Sequence, residues 1–180
     1  MEDGKNKMEK LKVIYEDNHI IVVEKTPNIA SQADKTGDID MLTMVKQYIK
    51  EKYNKPGNVY VGLVHRLDRP VGGIMLFAKT SKAASRLSEE VRNKTFEKHY
   101  LAVVDGKIEN KVGVLEDYLY KDERNNISKV VNKEKKNAKL AKLDYEVIKY
   151  DEVKKLSLVK VNLHTGRHHQ IRVQLSNFGH

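Results

Sequence analysis

Asp68 closes the tetrapeptide His65-Arg66-Leu67-Asp68, and its position is the strongest chemical signal in the chain. The tetrapeptide lies between two strand-like runs, Tyr60 to Val64 and Ile74 to Ala78, and a turn containing Pro70, Gly72 and Gly73 follows it. A carboxylate placed where a buried strand opens into such a turn is held rigidly while still facing a ligand. That is the requirement for a carboxylate acting as a base or a nucleophile. Taken alone, Asp68 also fits a turn residue or a helix cap. The histidines invite a metal reading, because His164 and His168 are four apart, next to His169. Helical spacing of that kind suits zinc. Thr165-Gly166 interrupts a helix between them and no acid is close in sequence, so no metal is expected. Gly62, Gly72 and Gly73 do not form a phosphate-cradling loop, since no Gly-Lys-Ser/Thr follows them.

The elements that must position Asp68 can be read from periodicity. Residues 1–10 read as a flexible, solvated tail. Residues 11–23 read as two strands about the turn Glu16-Asp17-Asn18-His19. Asp40 precedes Met41, Met44, Val45, Tyr48 and Ile49, an apolar stripe that predicts a helix from about 40 to 53, with its methionines in the core. Thr80 or Ser81 caps a second helix, whose Ala83, Ala84, Leu87 and Val91 share a face. Tyr100 to Val104 reads as a strand, and Asp105-Gly106 after it as a hairpin turn. Residues 143–150 and 155–163 read as a strand pair about Asp151-Glu152, and a helix is expected from near His168. Strands outnumber helices and several are hairpin-joined. The fold class expected is α+β, a mixed, largely antiparallel sheet with flanking helices.

The chain has 180 residues, enough for one domain with a sizeable core. No apolar run approaches the roughly 20 residues that span a bilayer, and Met1 to Lys10 lacks the apolar segment of a signal peptide, so a cytoplasmic protein without membrane attachment is expected. Zero cysteines exclude disulfides and thiolate metal sites. Lys and Arg number 34 against 25 acids, a net charge of +9 that favours a polyanionic partner. Residues 121–142 are the densest basic stretch, eight Lys or Arg against three acids, and read as a segment that includes a mobile loop, either solvated or RNA-contacting.

Three segments in order resemble the motifs of the RluA-type pseudouridine synthases. They are VHRLDRPVGGIMLFAKT from Val64, FEKHYLAVVDG from Phe96 and LHTGRHHQIRV from Leu163. The resemblance implies an RNA pseudouridine synthase that isomerises uridines in ribosomal or transfer RNA and needs no cofactor. It implies Asp68 as the catalytic aspartate, acting as nucleophile or as base. Tyr100 matches the active-site tyrosine that packs on the uracil, and Arg172 the basic residue that pairs with the aspartate. Arg66 matches the arginine that fills the gap left by the displaced base, and Ile171 an apolar residue of the uracil pocket. Arg167 and His169 fall in the third motif and are expected to serve RNA binding or the site's structure. The rival reading is a non-catalytic RNA-binding or ribosome-assembly module with the same fold. Relative to the family, Pro70-Val71-Gly72-Gly73 replaces a threonine-serine-glycine turn, and Lys25-Thr26-Pro27-Asn28 replaces lysine-proline-x-glycine. Family members continue past the position of His180, so a catalytic domain over 11–180, incomplete at its C-terminus, is expected. A monomer is the default.

Overall fold

The computed structural model describes residues 11–180, so the expected N-terminal tail, residues 1–10, lies outside the described residues. The chain divides into two compact units, one ending at Asn93 and the other running from Lys94 to His180.

In the first unit a four-stranded sheet has the order β1-β2-β4-β3, with every pair antiparallel. The strands are β1 (Lys12–Glu16), β2 (Ile20–Lys25), β3 (Gly62–Leu63) and β4 (Gly73–Ala78). Asp17 makes the β1–β2 turn, its Oδ1 accepting the backbone N–H groups of His19 and Ile20, both at 2.7 Å. Helix α1 (Met41–Lys52) starts where its sequence dictates. The Asp40 side chain accepts from Thr43 N at 3.1 Å and from Thr43 Oγ1 at 2.7 Å, a side-chain N-cap. Its stripe of Met41, Val45 and Ile49 is buried, as are Ile21 and Val23 of β2 and Met75 and Phe77 of β4. Helix α2 (Ser81–Asn93) is capped by Thr80 Oγ1, which accepts Ala83 N at 3.2 Å. Ala83, Ala84, Leu87 and Val91 form its half-buried face.

The second unit is a five-stranded antiparallel sheet, order β5-β9-β8-β6-β7, carrying helix α3 (Gln170–Phe178). Its strands are β5 (His99–Asp105), β6 (Val112–Asp122), β7 (Ile127–Val131), β8 (Lys139–Asp151) and β9 (Leu156–Leu163). Leu143, Tyr145, Val159, Val161 and Leu175 form its core. Gly113 sits opposite Tyr145, and a Cβ there would lie 2.5 Å from the tyrosine ring, so the glycine is what lets Tyr145 pack flat on β6.

The α+β class and the antiparallel sheets are as expected. Four local expectations differ in detail. The run from Tyr60 to Val64 contributes only Gly62 and Leu63 as strand, paired with Ala78 and Phe77 of β4. Asp105-Gly106 does not turn a hairpin. β5 pairs along its length with β9, and Gly106 N bonds to Lys155 O at 2.8 Å. Residues 121–142 are largely strand, the end of β6, β7 and the start of β8, with irregular backbone confined to 123–126 and 132–138. On β8 the buried Ala141, Leu143 and Tyr145 alternate with Lys142 and Asp144, so the strand period survives the high charge. Helix α3 begins at Gln170, two residues after the expected start, since His169 adopts a left-handed conformation with φ 54°.

Candidate active site

The turn that carries Asp68 is fixed by two side chains from earlier in the first unit and by one of its own. Lys25 continues the inward alternation of Ile21 and Val23, so its stem is fully buried. Its Nζ meets three backbone carbonyls: Thr26 O at 3.2 Å, Arg69 O at 2.9 Å and Val71 O at 2.5 Å. An ammonium has three N–H donors, and here each has an acceptor. Burial pushes the Lys25 ammonium below its usual range, the Asp68 carboxylate offsets part of that, and Arg69 adds to it. Ser31 holds the other side, its hydroxyl donating to Leu67 O at 2.6 Å and accepting Leu67 N at 3.0 Å. Leu67 is thereby plugged into the core and its neighbours Arg66 and Asp68 are turned outward, Arg66 exposed and Asp68 half-buried.

Arg69 is the third tie. Its guanidinium reaches Thr36 Oγ1 at 2.9 Å, Asp34 at 3.3 Å and Asp38, while Nε donates to Asn28 O at 3.1 Å. Asn28 N bonds in turn to Arg69 O at 2.7 Å, and Val71 N to Asp68 O at 2.9 Å closes the turn. The exit is Gly73, whose φ of 148° suits glycine alone. His65 accepts Leu76 N at 3.1 Å and fastens the segment to β4. Residues 65–71 lack ladder pairing, yet their backbone is tied at several points, which is the preorganisation that a reacting carboxylate requires.

The second unit holds the remaining candidates. Tyr100 of β5 and Ile171 of α3 both pack, half-buried, against the core that includes Val161 and Leu175. Arg172 follows on the exposed side of α3. A buried amide relay docks this helix. Thr165 Oγ1 and Arg167 N both donate to Gln170 Oε1, at 2.8 and 2.9 Å. Gln170 Nε2 donates to Lys142 O at 3.1 Å and to Gln174 Oε1 at 2.9 Å. Gln174 Nε2 reaches Asp117 at 2.8 Å. The relay sets the rotation of α3 and hence the directions of Ile171 and Arg172. Arg167 donates from Nε to Leu140 O at 2.8 Å, and the His169 ring stacks on His168 with centroids 3.7 Å apart. His164, expected to lack an acidic neighbour, has one: its Nε2 lies 2.5 Å from Asp144 Oδ2, brought across from β8 by strand pairing.

Asp68 and Arg66 therefore belong to the first unit, and Tyr100, Arg167, His169, Ile171 and Arg172 to the second. Sequence reasoning missed Lys25, Ser31, Arg69, Gln170 and Gln174. Lys25 did leave a signal, a lysine at a core-facing position of an alternating strand; Ser31 and Gln174 left none.

The family model for RNA pseudouridylate synthase matches residues 19–177. An uncharacterized RNA pseudouridine synthase of Bacillus subtilis (strain 168) is 31% identical over 94% of this chain and 55% of its own length. The ribosomal large subunit pseudouridine synthase C of Vibrio vulnificus is 34% identical over 93% of this chain and 50% of its own. The tRNA pseudouridine synthase C of Haemophilus influenzae is 30% identical over 94% of this chain and 72% of its own. The chain thus spans about half the length of the first two relatives. Among solved structures, the human RNA Pseudouridylate Synthase Domain Containing 1 protein superimposes with a TM-score of 0.78 at 23% identity, over 100% of this chain and 69% of that one, a likeness of fold.

Proposed function

The chain belongs to the RNA pseudouridylate synthase family, and from that premise we propose that it isomerises uridine to pseudouridine in ribosomal or transfer RNA. The reaction breaks the N1–C1′ bond, turns the uracil and joins C5 to C1′, so N1 gains a proton and C5 gives one up. Atoms balance without oxidant, reductant or water. Asp68 is the catalytic carboxylate, either attacking the sugar or removing a ribose proton. By the family resemblance, Tyr100 offers the uracil a ring face with one polar handle, Ile171 an apolar wall, and Arg172 a positive charge. Arg66, exposed beside Asp68, takes the space of the extruded base. Extrusion costs roughly a few kcal/mol, offset by backbone contacts and stacking.

The observation that carries this reading is the immobilised Asp68 turn: a half-buried carboxylate on irregular backbone whose carbonyls are gripped by a buried ammonium. A structural aspartate in a surface turn needs no such support. RNA tritiated at uridine C5 tests it. The wild-type chain is expected to release label, and Asp68→Asn to be slower by at least roughly 10³-fold. Equal release from both removes Asp68 from the chemistry. RNA binding without release by wild type favours a non-catalytic RNA-binding module.

A further inference from the structure

The basic stretch at 121–142 is not used by the chemistry above, and the fold builds a cleft from it. A cavity of about 760 Å³ opens within the second unit, between the β6–β7 turn, the connection into β8 and the approach to α3. Lys121, Arg124, Lys139 and Arg167 line it, with Tyr120 and His168. Two acids, Asp122 and Glu123, line it as well, and both are committed. Asp122 accepts Arg124 N at 3.0 Å, Asn125 N at 3.3 Å and Asn125 Nδ2 at 2.9 Å, hydrogen bonds that make the turn and hold its carboxyl below the usual range. Glu123 bonds Lys121 at 2.6 Å. The uncompensated cations of the cleft, among the described residues, are then Arg124, Lys139 and Arg167. Arg167 is aimed by its bond to Leu140 O, and His168 by a 2.9 Å contact between its Nδ1 and Ser128 Oγ.

We propose that this cleft anchors the sugar-phosphate backbone of the substrate RNA, apart from the groups that handle the reacting uridine. Cations beside aromatic and imidazole faces match a nucleotide chain, phosphate on the former and base on the latter. The volume falls within the range of ordinary ligand sites, and Lys135 above the Tyr120 ring, 5.3 Å from its centroid, extends the positive rim. The proposal rests on RNA being the substrate, and the same phosphate chemistry would also suit a free nucleotide.

The test uses the full chain and an unmodified, fluorescein-labelled RNA stem-loop, with binding followed by anisotropy across a salt series. Arg124→Gln/Lys139→Gln is expected to weaken binding roughly tenfold at low salt and to reduce the slope of log K against log salt by about one per residue removed. Glu123→Gln, which releases Lys121, is expected to tighten binding, an outcome that misfolding cannot imitate. Lys154→Gln, in the β8–β9 turn, is expected to match wild type. An unchanged slope in the double variant overturns the proposal, as does a wild-type chain that does not bind the stem-loop. Competition by uridine monophosphate as effective as by unlabelled stem-loop also overturns it, in favour of a free-nucleotide site. Label release from C5, measured in parallel, judges the isomerase reading separately. Release with an unchanged slope sinks the cleft alone, and binding through the cleft without release sinks the isomerase alone.

Discussion

The Asp68 turn and the docked helix α3 face one task, holding side chains that lie outside any sheet ladder, and they accomplish it with opposite chemistry. In the first unit the fixed points, Ser31 apart, are charged. Lys25 donates to three carbonyls, and Glu16 gathers Lys79 at 2.6 Å, Lys52 at 2.7 Å and Tyr53 Oη at 2.8 Å. In the second unit the fixed points are neutral amides, Gln170 and Gln174, buried at 2% and 0% exposure and linked in series. A buried charge is costly unless every hydrogen bond is made, but when they are made the bonds are stronger than neutral ones. The charged strategy therefore gives the stiffer turn and makes the first unit sensitive to pH. The amide strategy gives a helix held by mostly neutral links, with the Asp117 carboxylate at the end of the series. Placing the stiffer support under the carboxylate suits its proposed role, since a reacting group tolerates little displacement.

The largest expected effect that separates the two strategies comes from Lys25→Met. The thioether fills the stem's volume but leaves three carbonyls without their donor, so we expect a loss of about 3 kcal/mol in denaturant unfolding. Label release should fall in kcat more than in KM, because the turn under Asp68 loosens while the RNA-binding surface stays. A stable variant with normal kcat would show that Asp68 does not depend on the Lys25 grip. Next in size is Gln174→Leu, expected to cost about 1–2 kcal/mol by leaving Gln170 and Asp117 short of a partner. Hydrogen exchange should show the loss in α3 and leave β2 and β4 protected; equal loss in both units would erase the distinction drawn above.

The smallest effect is in pH. Burial pushes the Glu16 carboxyl up, but hydrogen bonds from Lys52, Lys79 and Tyr53 outweigh it and bring the value down from 4.5 to about 2. A carboxyl with a depressed folded value binds protons more readily when unfolded, so its contribution is complete above pH 4.5 and is lost as the pH falls toward about 2. Wild type should lose stability across that window, and Glu16→Gln should start lower by about 1–2 kcal/mol and change less. Parallel acid titrations of the two proteins would remove Glu16 as a charged fixed point.

Much of this architecture was written locally. Asp40 with Thr43 starts α1 and Thr80 starts α2, because a cap needs only a side chain and an N–H three residues on. Asp17 and Asp151 place the β1–β2 and β8–β9 turns by the same short reach. Alternation placed Ile21, Val23, Val159 and Val161 in the cores. The Asp105-Gly106 turn misled for a physical reason: the dipeptide favours reversal, but the strand edge was decided by β9, whose Ser157 also donates to Gly106 O at 2.7 Å.

The sequence by itself determined which residues are the candidates for chemistry. His65-Arg66-Leu67-Asp68, Tyr100 and the run from Thr165 to Arg172 are short patterns, legible because their meaning lies in residue type and order. Only the tertiary structure decided how Asp68 is held. Lys25 meets Arg69 O and Val71 O across separations of 44 and 46 residues, and Gln174 meets Asp117 across 57. Such pairs follow from sheet register and from how a helix is turned, and those are settled by burial summed over a whole unit, which no window of neighbouring residues contains.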